Sequence, residues 1–176
     1  MENKKPLRLG IAGLGNVGSE VVRIIETQAA HLAKRAGRDI QVVAVSARDK
    51  NKKRSCALSN VQWLSNPVEL AAHKDVDVVV ELIGGSEGAA RELALAALKA
   101  GKPFITANKA LLAHHGVELA TLSQTHHAPL YCEAAVAGGI PVIKTLRESL
   151  AGNLIKEIFG ILNGTCNYIL TTMRET

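Results

Sequence analysis

The glycines near the amino terminus have a spacing that suits a diphosphate. Gly13, Gly15 and Gly18 form a Gly-x-Gly-x-x-Gly motif that follows an apolar run, Leu7 to Ala12, and opens an amphipathic stretch. Between a strand and a helix, the first glycine permits a tight turn, the second lets a diphosphate approach the backbone, and the third lets helix and strand pack closely. The unpaired amides and positive dipole end of the helix then face the phosphates. The motif therefore predicts a dinucleotide site, and a turn without a ligand is the alternative. The residues of the predicted site are Gly13, Leu14, Gly15, Asn16, Val17 and Gly18.

The residues after the second predicted strand bear on which dinucleotide binds. In NAD-binding units an acidic side chain there accepts hydrogen bonds from the adenosine ribose. In this chain the strand Ile40 to Val45 is followed by Ser46, Ala47 and Arg48. A guanidinium pairs with a 2′-phosphate, which a carboxylate would repel. Arg48 therefore favours NADP as the cofactor, with NAD as the alternative. Further basic residues follow, which form an ordinary solvated loop if no phosphate binds: Lys50, Lys52, Lys53 and Arg54.

Two charged side chains follow later predicted strands. Lys109 comes after the strand Phe104 to Ala107 and Asn108, at the edge where open α/β sheets bind ligands. Its ammonium would hold the cofactor and stabilise a developing alkoxide, or it is an ordinary surface lysine. Glu133 follows the strand Pro129 to Cys132, and a small-residue loop comes next. A carboxylate beside exposed carbonyls suits a hard cation, although the residues alone favour a loop packed for turn geometry.

Other groups capable of chemistry have simpler explanations. Adjacent histidines point to different faces of a helix, so neither pair is expected to chelate a metal, and all four are expected to face solvent: His114, His115, His126 and His127. Cys166 is expected to be a small buried thiol at a helix start. Trp63 and Tyr168 are expected to pack rather than to bind a cofactor.

Strands and helices alternate along most of the chain, which predicts a doubly wound parallel sheet of the Rossmann type. The strands are expected at 7–12, 40–45, 60–64, 76–83, 104–107 and 129–132. The helices are expected at 16–36, 68–73, 89–100 and 111–125. The regular alternation of strands and helices ends after residue 132. A loop is expected at 134–141, a helix at 142–150, an irregular alternation of apolar and polar residues at 154–162, and a last helix from 165. We therefore expect a dinucleotide-binding domain over residues 1–132, and the beginning of a second, α+β domain for substrate and dimerisation over residues 133–176.

Composition limits the classes of protein to which the chain can belong. Of its 176 residues, 47% are hydrophobic and only 3% aromatic, which is typical of an aliphatic core under a parallel sheet. A formal net charge of +5 suits a phosphate-bearing small molecule and does not require nucleic acid, and no basic recognition helix or aromatic platform is apparent. Three cysteines at unrelated spacings favour a reducing cytoplasm, and no run of roughly 20 apolar residues predicts a membrane span.

Four segments together resemble the homoserine dehydrogenase family. The first, 13–18, is generic, while the other three are specific in this order: Ala107 to Leu112, Glu133 to Pro141 and Asn163 to Leu170. The resemblance implies reversible, nicotinamide-dependent interconversion of L-homoserine and L-aspartate 4-semialdehyde, a step toward threonine, methionine and isoleucine. It also implies a homodimer or larger homo-oligomer.

The resemblance implies roles for particular residues. Lys109 matches the lysine at the junction of cofactor and substrate, and Arg48 matches the arginine of NADP-using members. The carboxylate of Glu133 and the backbone carbonyls of Val136, Gly138 and Ile140 match a monovalent-cation site, with sodium as the expected ion. The remaining matched cofactor contacts are Gly84, Gly85, Ala107 and Asn108. Two positions depart from the family: Cys166 stands in place of threonine, and no proline follows Gly84 and Gly85 closely.

Family members continue into a substrate domain with a carboxylate pair and a second lysine. We therefore expect this chain to be a truncated piece that holds cofactor but is nearly inactive alone, with apolar surface uncovered around Ile158 to Ile169. Two rival functions remain. A semialdehyde dehydrogenase with a thiol nucleophile would need Cys132 or Cys166, whereas a nucleotide-sensing module without catalysis would need neither Lys109 nor Glu133.

Overall fold

The computed structural model describes residues 4–160 and 164–175. Its centre is a six-stranded parallel sheet with strand order β3-β2-β1-β4-β5-β6. The strands are β1 (Leu7–Ala12), β2 (Ile40–Ser46), β3 (Gln62–Leu64), β4 (Val78–Glu81), β5 (Phe104–Thr106) and β6 (Leu130–Tyr131). The order reverses at β1, as in doubly wound folds that bind dinucleotides at this reversal. The predicted Rossmann-type fold is confirmed.

Helices connect these strands and extend beyond them. They are α1 (Asn16–Thr27), α2 (Ala29–Ala36), α3 (Glu69–Ala72), α4 (Ala89–Lys99), α5 (Lys109–Thr125), α6 (Val142–Lys144) and α7 (Gly164–Glu175). A 3₁₀ turn spans Glu133–Ala135, and a π-helical turn, Thr145–Ser149, continues α6. Residues 154–160 form no regular structure, and Leu162 lies outside the described residues. No helix in the described ranges combines the length and apolar character that a membrane crossing requires.

The core lies on both faces of the sheet because neighbouring residues of each strand point in opposite directions. One apolar cluster joins Ala12, Val79 and Phe104 to the buried faces of α3, α4 and α5. The other joins Ile11, Val45 and Val80 to Val22 of α1. Apolar residues on both faces explain why the central strands read as nearly continuous apolar runs in the sequence.

The single helix expected over 16–36 is wrong, because the backbone leaves helical geometry at Gln28, with φ −113° and ψ 20°. The Thr27 hydroxyl donates a hydrogen bond to the carbonyl of Arg23 at 2.8 Å, a contact that bends helices. α2 then has no buried residue, so packing does not hold the two helices in line. Most other elements agree with the expected ones to within two residues at each end.

Candidate cofactor site

The glycine-rich turn, residues 13–18, has the three geometries that the motif predicts. Gly13 has a φ of +98° and donates a 2.8 Å hydrogen bond to the carbonyl of Ser46, which closes the turn across the sheet. A Cβ on Gly18 would collide with the carbonyl of Gly13, so only glycine lets α1 start this close to β1. A Cβ on Gly15 would meet open space, which leaves room for a diphosphate to approach the backbone. Gly15 is also the N-cap of α1 and has no side chain to occupy the amides of the first turn.

An open cleft of about 520 Å³ lies beyond the carboxyl ends of β1, β2 and β4. Its position is the one at which doubly wound sheets bind their ligands. The walls are apolar beyond β4, where Leu82 and Ile83 lie, and basic beyond β2, while Pro67 follows β3. The lining residues include Gly13, Leu14, Gly15, Ser46, Ala47, Arg48, Asp49, Lys52, Arg54 and Ser65.

The basic wall is a loop, residues 48–54, that follows β2. Arg48 and Lys52 are exposed and line the cleft, which places two cations where the adenosine end of a dinucleotide would lie. The one acid of this wall, Asp49, accepts a hydrogen bond from the amide of Asn51 at 2.8 Å, so one of its oxygens shapes the loop itself.

Arg54 has a role that the sequence did not indicate. Its guanidinium donates hydrogen bonds to the carbonyls of Leu14, Asp49, Lys50 and Lys52. It also lies over the ring of Trp63, 5.2 Å from the centroid, which agrees with the expected packing role of that tryptophan. Arg54 therefore holds the basic loop against the glycine-rich turn, while Arg48 and Lys52 remain on the surface of the cleft.

The paired-glycine turn, Gly84 and Gly85, follows β4 on the other side of β1. Both residues have positive φ angles, +85° and +83°. Nothing stands where their Cβ atoms would be, so the conformation rather than crowding requires glycine here. The side chain of Asn108 donates a 2.6 Å hydrogen bond to the carbonyl of Gly85 and accepts one from the amide of Leu111 at 3.1 Å. Asn108 thus caps α5 and holds the turn at the same time.

Lys109 is the first residue of α5, and its side chain is exposed. It lies beyond the end of β5. The neighbouring strand is β4, and the residues that follow β4, Leu82 and Ile83, line the cleft. Ala107 is half-buried, with its amide 3.4 Å from the carbonyl of Glu81. Residues 107–109 therefore lie along the same edge as the cleft, one strand farther from β1, and do not line it.

Glu133 begins the loop in which a cation site is expected. Its half-buried carboxylate accepts hydrogen bonds from the amide of Lys144 at 3.2 and 3.4 Å, which leaves lone pairs for a cation. Ala137 and Gly139 have positive φ angles, +54° and +85°, so the loop reverses direction repeatedly between Glu133 and α6. Within the described residues, no group of three or more His, Cys, Asp and Glu side chains could hold a metal. An ion here would depend on backbone carbonyls, a donor set that fits a hard cation.

Three expectations about other side chains are wrong. The side chain of His115 is only 16% exposed, because its Nε2 lies 2.6 Å from the carboxylate of Glu87 in the loop before α4. This contact lowers the pKa of Glu87, chiefly through the hydrogen bond from His115. Cys166 is exposed instead of buried, and Tyr168 does not pack in a core, since every residue of α7 is exposed in the described structure.

Cys132 has an environment that opposes a nucleophilic thiolate. Burial raises the pKa of its thiol, and the carboxylate of Glu133 adds to this, while Arg147 partly offsets it. A catalytic cysteine needs the opposite shift. The thiol-dependent rival function therefore lacks an activated cysteine at this position.

Comparison with known protein families agrees with this geometry. Residues 13–133 match the model of the homoserine dehydrogenase NAD-binding domain, and residues 141–176 match a second homoserine dehydrogenase model. The chain belongs to the homoserine dehydrogenase family. The resemblance to this family is thereby confirmed, together with a domain for a nicotinamide cofactor.

Individual homoserine dehydrogenases cover nearly the whole chain. The enzyme of Neisseria gonorrhoeae is 47% identical over 171 residues, which are 97% of this chain and 39% of that protein. The crystal structure of a homoserine dehydrogenase from Thiobacillus denitrificans has 43% identity and a TM-score of 0.84, over 97% of this chain and 39% of its own. A putative homoserine dehydrogenase from Archaeoglobus fulgidus, 28% identical with a TM-score of 0.76, covers 96% of this chain and 55% of its own. The chain thus spans 39% of the length of the first of these relatives.

Proposed function

We propose that this chain is the cofactor-binding part of an NADP-dependent homoserine dehydrogenase. The protein that carries it would interconvert L-homoserine and L-aspartate 4-semialdehyde, in the biosynthesis of threonine, methionine and isoleucine. The observation that carries this proposal is a glycine-rich turn that opens on a cleft whose far wall holds Arg48 and Lys52. Family membership supports the nicotinamide cofactor, and the two cations support NADP over NAD.

The reaction transfers a hydride to the aldehyde carbon, and a proton must reach the oxygen that becomes the alcohol. A bound nicotinamide supplies the hydride. The residues of this chain would orient it: amides of the glycine-rich turn would bind the diphosphate, and Arg48 would pair with the 2′-phosphate. Lys109 lies one strand beyond the cleft, where an ammonium would stabilise the negative oxygen.

Further parts of the proposal concern the remainder of the chain. The carboxylate of Glu133 and the carbonyls of Val136, Gly138 and Ile140 would bind a monovalent cation, with sodium as the expected ion. Residues 133–176 would begin the substrate and dimerisation domain. Exposed apolar side chains such as Phe159 and Leu170 support a homodimer or larger homo-oligomer, because such surface is normally covered. A cytoplasmic location fits a biosynthetic enzyme with reduced cysteines.

The cofactor proposal is tested by measuring the affinities of NADPH and NADH for the wild-type chain and for Arg48→Ser. Loss of a charge-assisted pair with the 2′-phosphate should weaken NADPH about tenfold or more and leave NADH nearly unchanged. Arg35→Ser, in the last turn of α2, is the matched control and should change neither affinity. An equal loss for both cofactors would contradict the role of Arg48 in selecting NADP.

The catalytic proposal is tested on the longest protein that contains this chain. Lys109→Ala should lower turnover of aspartate semialdehyde about a hundredfold while NADPH still binds. Unchanged turnover would place the chemistry elsewhere, and binding without any turnover in the wild type would favour the nucleotide-sensing alternative.

A further inference from the structure

Glu81 is a fully buried carboxylic side chain at the end of an otherwise apolar strand. Its exposure is 0%, and it follows Val78, Val79 and Val80 in β4. One carboxylate oxygen accepts hydrogen bonds from the amides of Ile83 at 2.7 Å and Gly84 at 3.1 Å. A buried polar group of this kind is costly unless it is fully paired, so its partners indicate what it is for.

The other carboxylate oxygen accepts a 2.6 Å hydrogen bond from the hydroxyl of Thr106, at the end of β5. The same hydroxyl oxygen accepts a hydrogen bond from the amide of Asn108 at 3.0 Å. The side chain of Asn108 donates a hydrogen bond to the carbonyl of Gly85, so these contacts link Thr106 to the paired-glycine turn a second time. Gly84 and Gly85 are thus held by the side chains of Glu81 and Asn108, and both of these residues also bond to the hydroxyl of Thr106.

Only a carboxylate satisfies all of these partners as they stand. Its two oxygens receive three donors and offer no hydrogen in return. In Glu81→Gln, the amide nitrogen would point its hydrogens at the hydroxyl oxygen of Thr106, which already accepts from Asn108, while the hydroxyl hydrogen would lose its acceptor. The network therefore does more than fill space between two strands. Because Glu81 can only accept, it determines which group donates in each hydrogen bond between Thr106 and the turn.

The strand order indicates which part of the cofactor this turn meets. The basic loop follows β2, the glycine-rich turn follows β1, and the paired-glycine turn follows β4, so the three lie side by side along one edge. With the adenosine end at β2 and the diphosphate at β1, the nicotinamide end extends toward β4 and β5. Two successive glycines with positive φ would by themselves give this turn a flexible backbone. The hydrogen bonds with Glu81 and Asn108 restrict both residues to one conformation.

We propose that Glu81 and Thr106 are positioning residues that hold the Gly84–Gly85 turn in the shape that receives the nicotinamide half of the cofactor. This inference rests on the proposed function, since it requires that a nicotinamide dinucleotide binds in the cleft. Neither side chain touches the cofactor in this account, because both are buried and act through the backbone of the turn and through Asn108.

The test compares two ligands on the 176-residue chain. NADPH contains the nicotinamide, whereas 2′-phosphoadenosine 5′-diphosphoribose ends at the second ribose. Thr106→Val keeps the volume and removes the hydroxyl, so it should weaken NADPH about tenfold and the shortened ligand less than about twofold. Thr106→Ser should restore NADPH affinity, since it keeps the hydroxyl. Thr121→Val, which removes an exposed hydroxyl bonded to its own helix, is the matched control and should change neither affinity.

A purely structural role predicts a different result. Thr106→Val would then lower the unfolding temperature and leave both affinities unchanged in folded protein, or weaken both equally, and either outcome overturns the proposal. Should Thr106→Val not fold, Asn108→Asp keeps the oxygen that caps α5 and removes the donor to Gly85, and the same difference between ligands is expected. If the wild-type chain binds neither ligand, the proposed function fails instead.

Discussion

Residues 4–132 and the described residues after 132 differ in how they treat their apolar side chains. In the first region, Leu93, Leu98 and Phe104 are completely buried between the sheet and its helices. In the second, Ala135 is the one buried residue among 133–160 and 164–175, while Leu154 and Phe159 are 89% and 87% exposed.

This difference shows that apolar composition does not create a core without a second layer. The parallel sheet has helices on both faces, so most of its apolar strand residues pack in one of two apolar clusters. α7 has apolar residues such as Leu170 and Met173, yet it has no sheet beneath it in the described structure. An amphipathic helix gains most of its stability from the face that it buries. The first region is therefore stabilised by its own buried core, whereas the apolar side chains of the second contribute little burial within the described structure.

The largest expected difference between the regions is in the cost to stability of replacing one leucine by alanine. Leu98→Ala removes a fully buried side chain of α4 and should lower the free energy of unfolding by about 3 kcal/mol, through lost burial and the cavity left behind. Leu154→Ala removes an exposed side chain and should change it by less than about 0.5 kcal/mol. Equilibrium urea denaturation measures both. A large cost for Leu154→Ala would mean that the second region packs in solution, and the contrast between the regions would be lost.

The sequence predicted the first region well because the signals for its elements are local. Continuous apolar runs identify the central strands, and the spacing of Gly13, Gly15 and Gly18 identifies the turn beside β1. Strand ends then indicated which charged residues reach the ligand edge, including Arg48, and the cleft lies where that argument placed it.

Most contacts that shape the site were not predictable in the same way, because their partners are far apart in sequence. Glu81 pairs with Thr106 across 25 positions, and Glu87 pairs with His115 across 28. Each pair forms only once the sheet has set β4 beside β5 and α4 beside α5. Arg54 bonds within its own non-periodic loop, where residue type gives no preferred partner. A glutamate that ends an apolar strand was the one signal in the sequence that a buried network exists.

A smaller effect is expected from acid, and it also differs between the regions. In the first region Arg8 binds Asp77 through a 2.9 Å ion pair, and its hydrogen bonds hold the pKa of Asp77 below its usual value. A carboxyl with a lowered folded-state pKa stabilises the fold above its unfolded pKa of about 4, and this stabilisation is lost as the pH falls through the folded-state pKa. Asp77→Asn should therefore be less stable than wild type at neutral pH, and the difference should shrink below pH 4.

Glu148→Gln is the control in the second region. Its ion pair with Lys144 is 3.8 Å long, with both side chains more than half exposed, so it should contribute almost nothing at any pH. Urea denaturation at several pH values measures both variants. A constant difference between Asp77→Asn and wild type across that range would show that the hydrogen bonds of Asp77, rather than its charge, matter.

The smallest effect concerns two thiols, one at the junction of the regions and one in α7. Burial raises the pKa of Cys132, so little thiolate is present at neutral pH, while Cys166 is exposed. Timed N-ethylmaleimide labelling, read by peptide mass spectrometry, should modify Cys166 about tenfold faster than Cys132 at neutral pH. In urea the two rates should converge, which controls for local sequence. If Cys132 reacted faster in the folded chain, it would carry an activated thiolate, and a thiol-dependent function at the end of the sheet would need to be considered again.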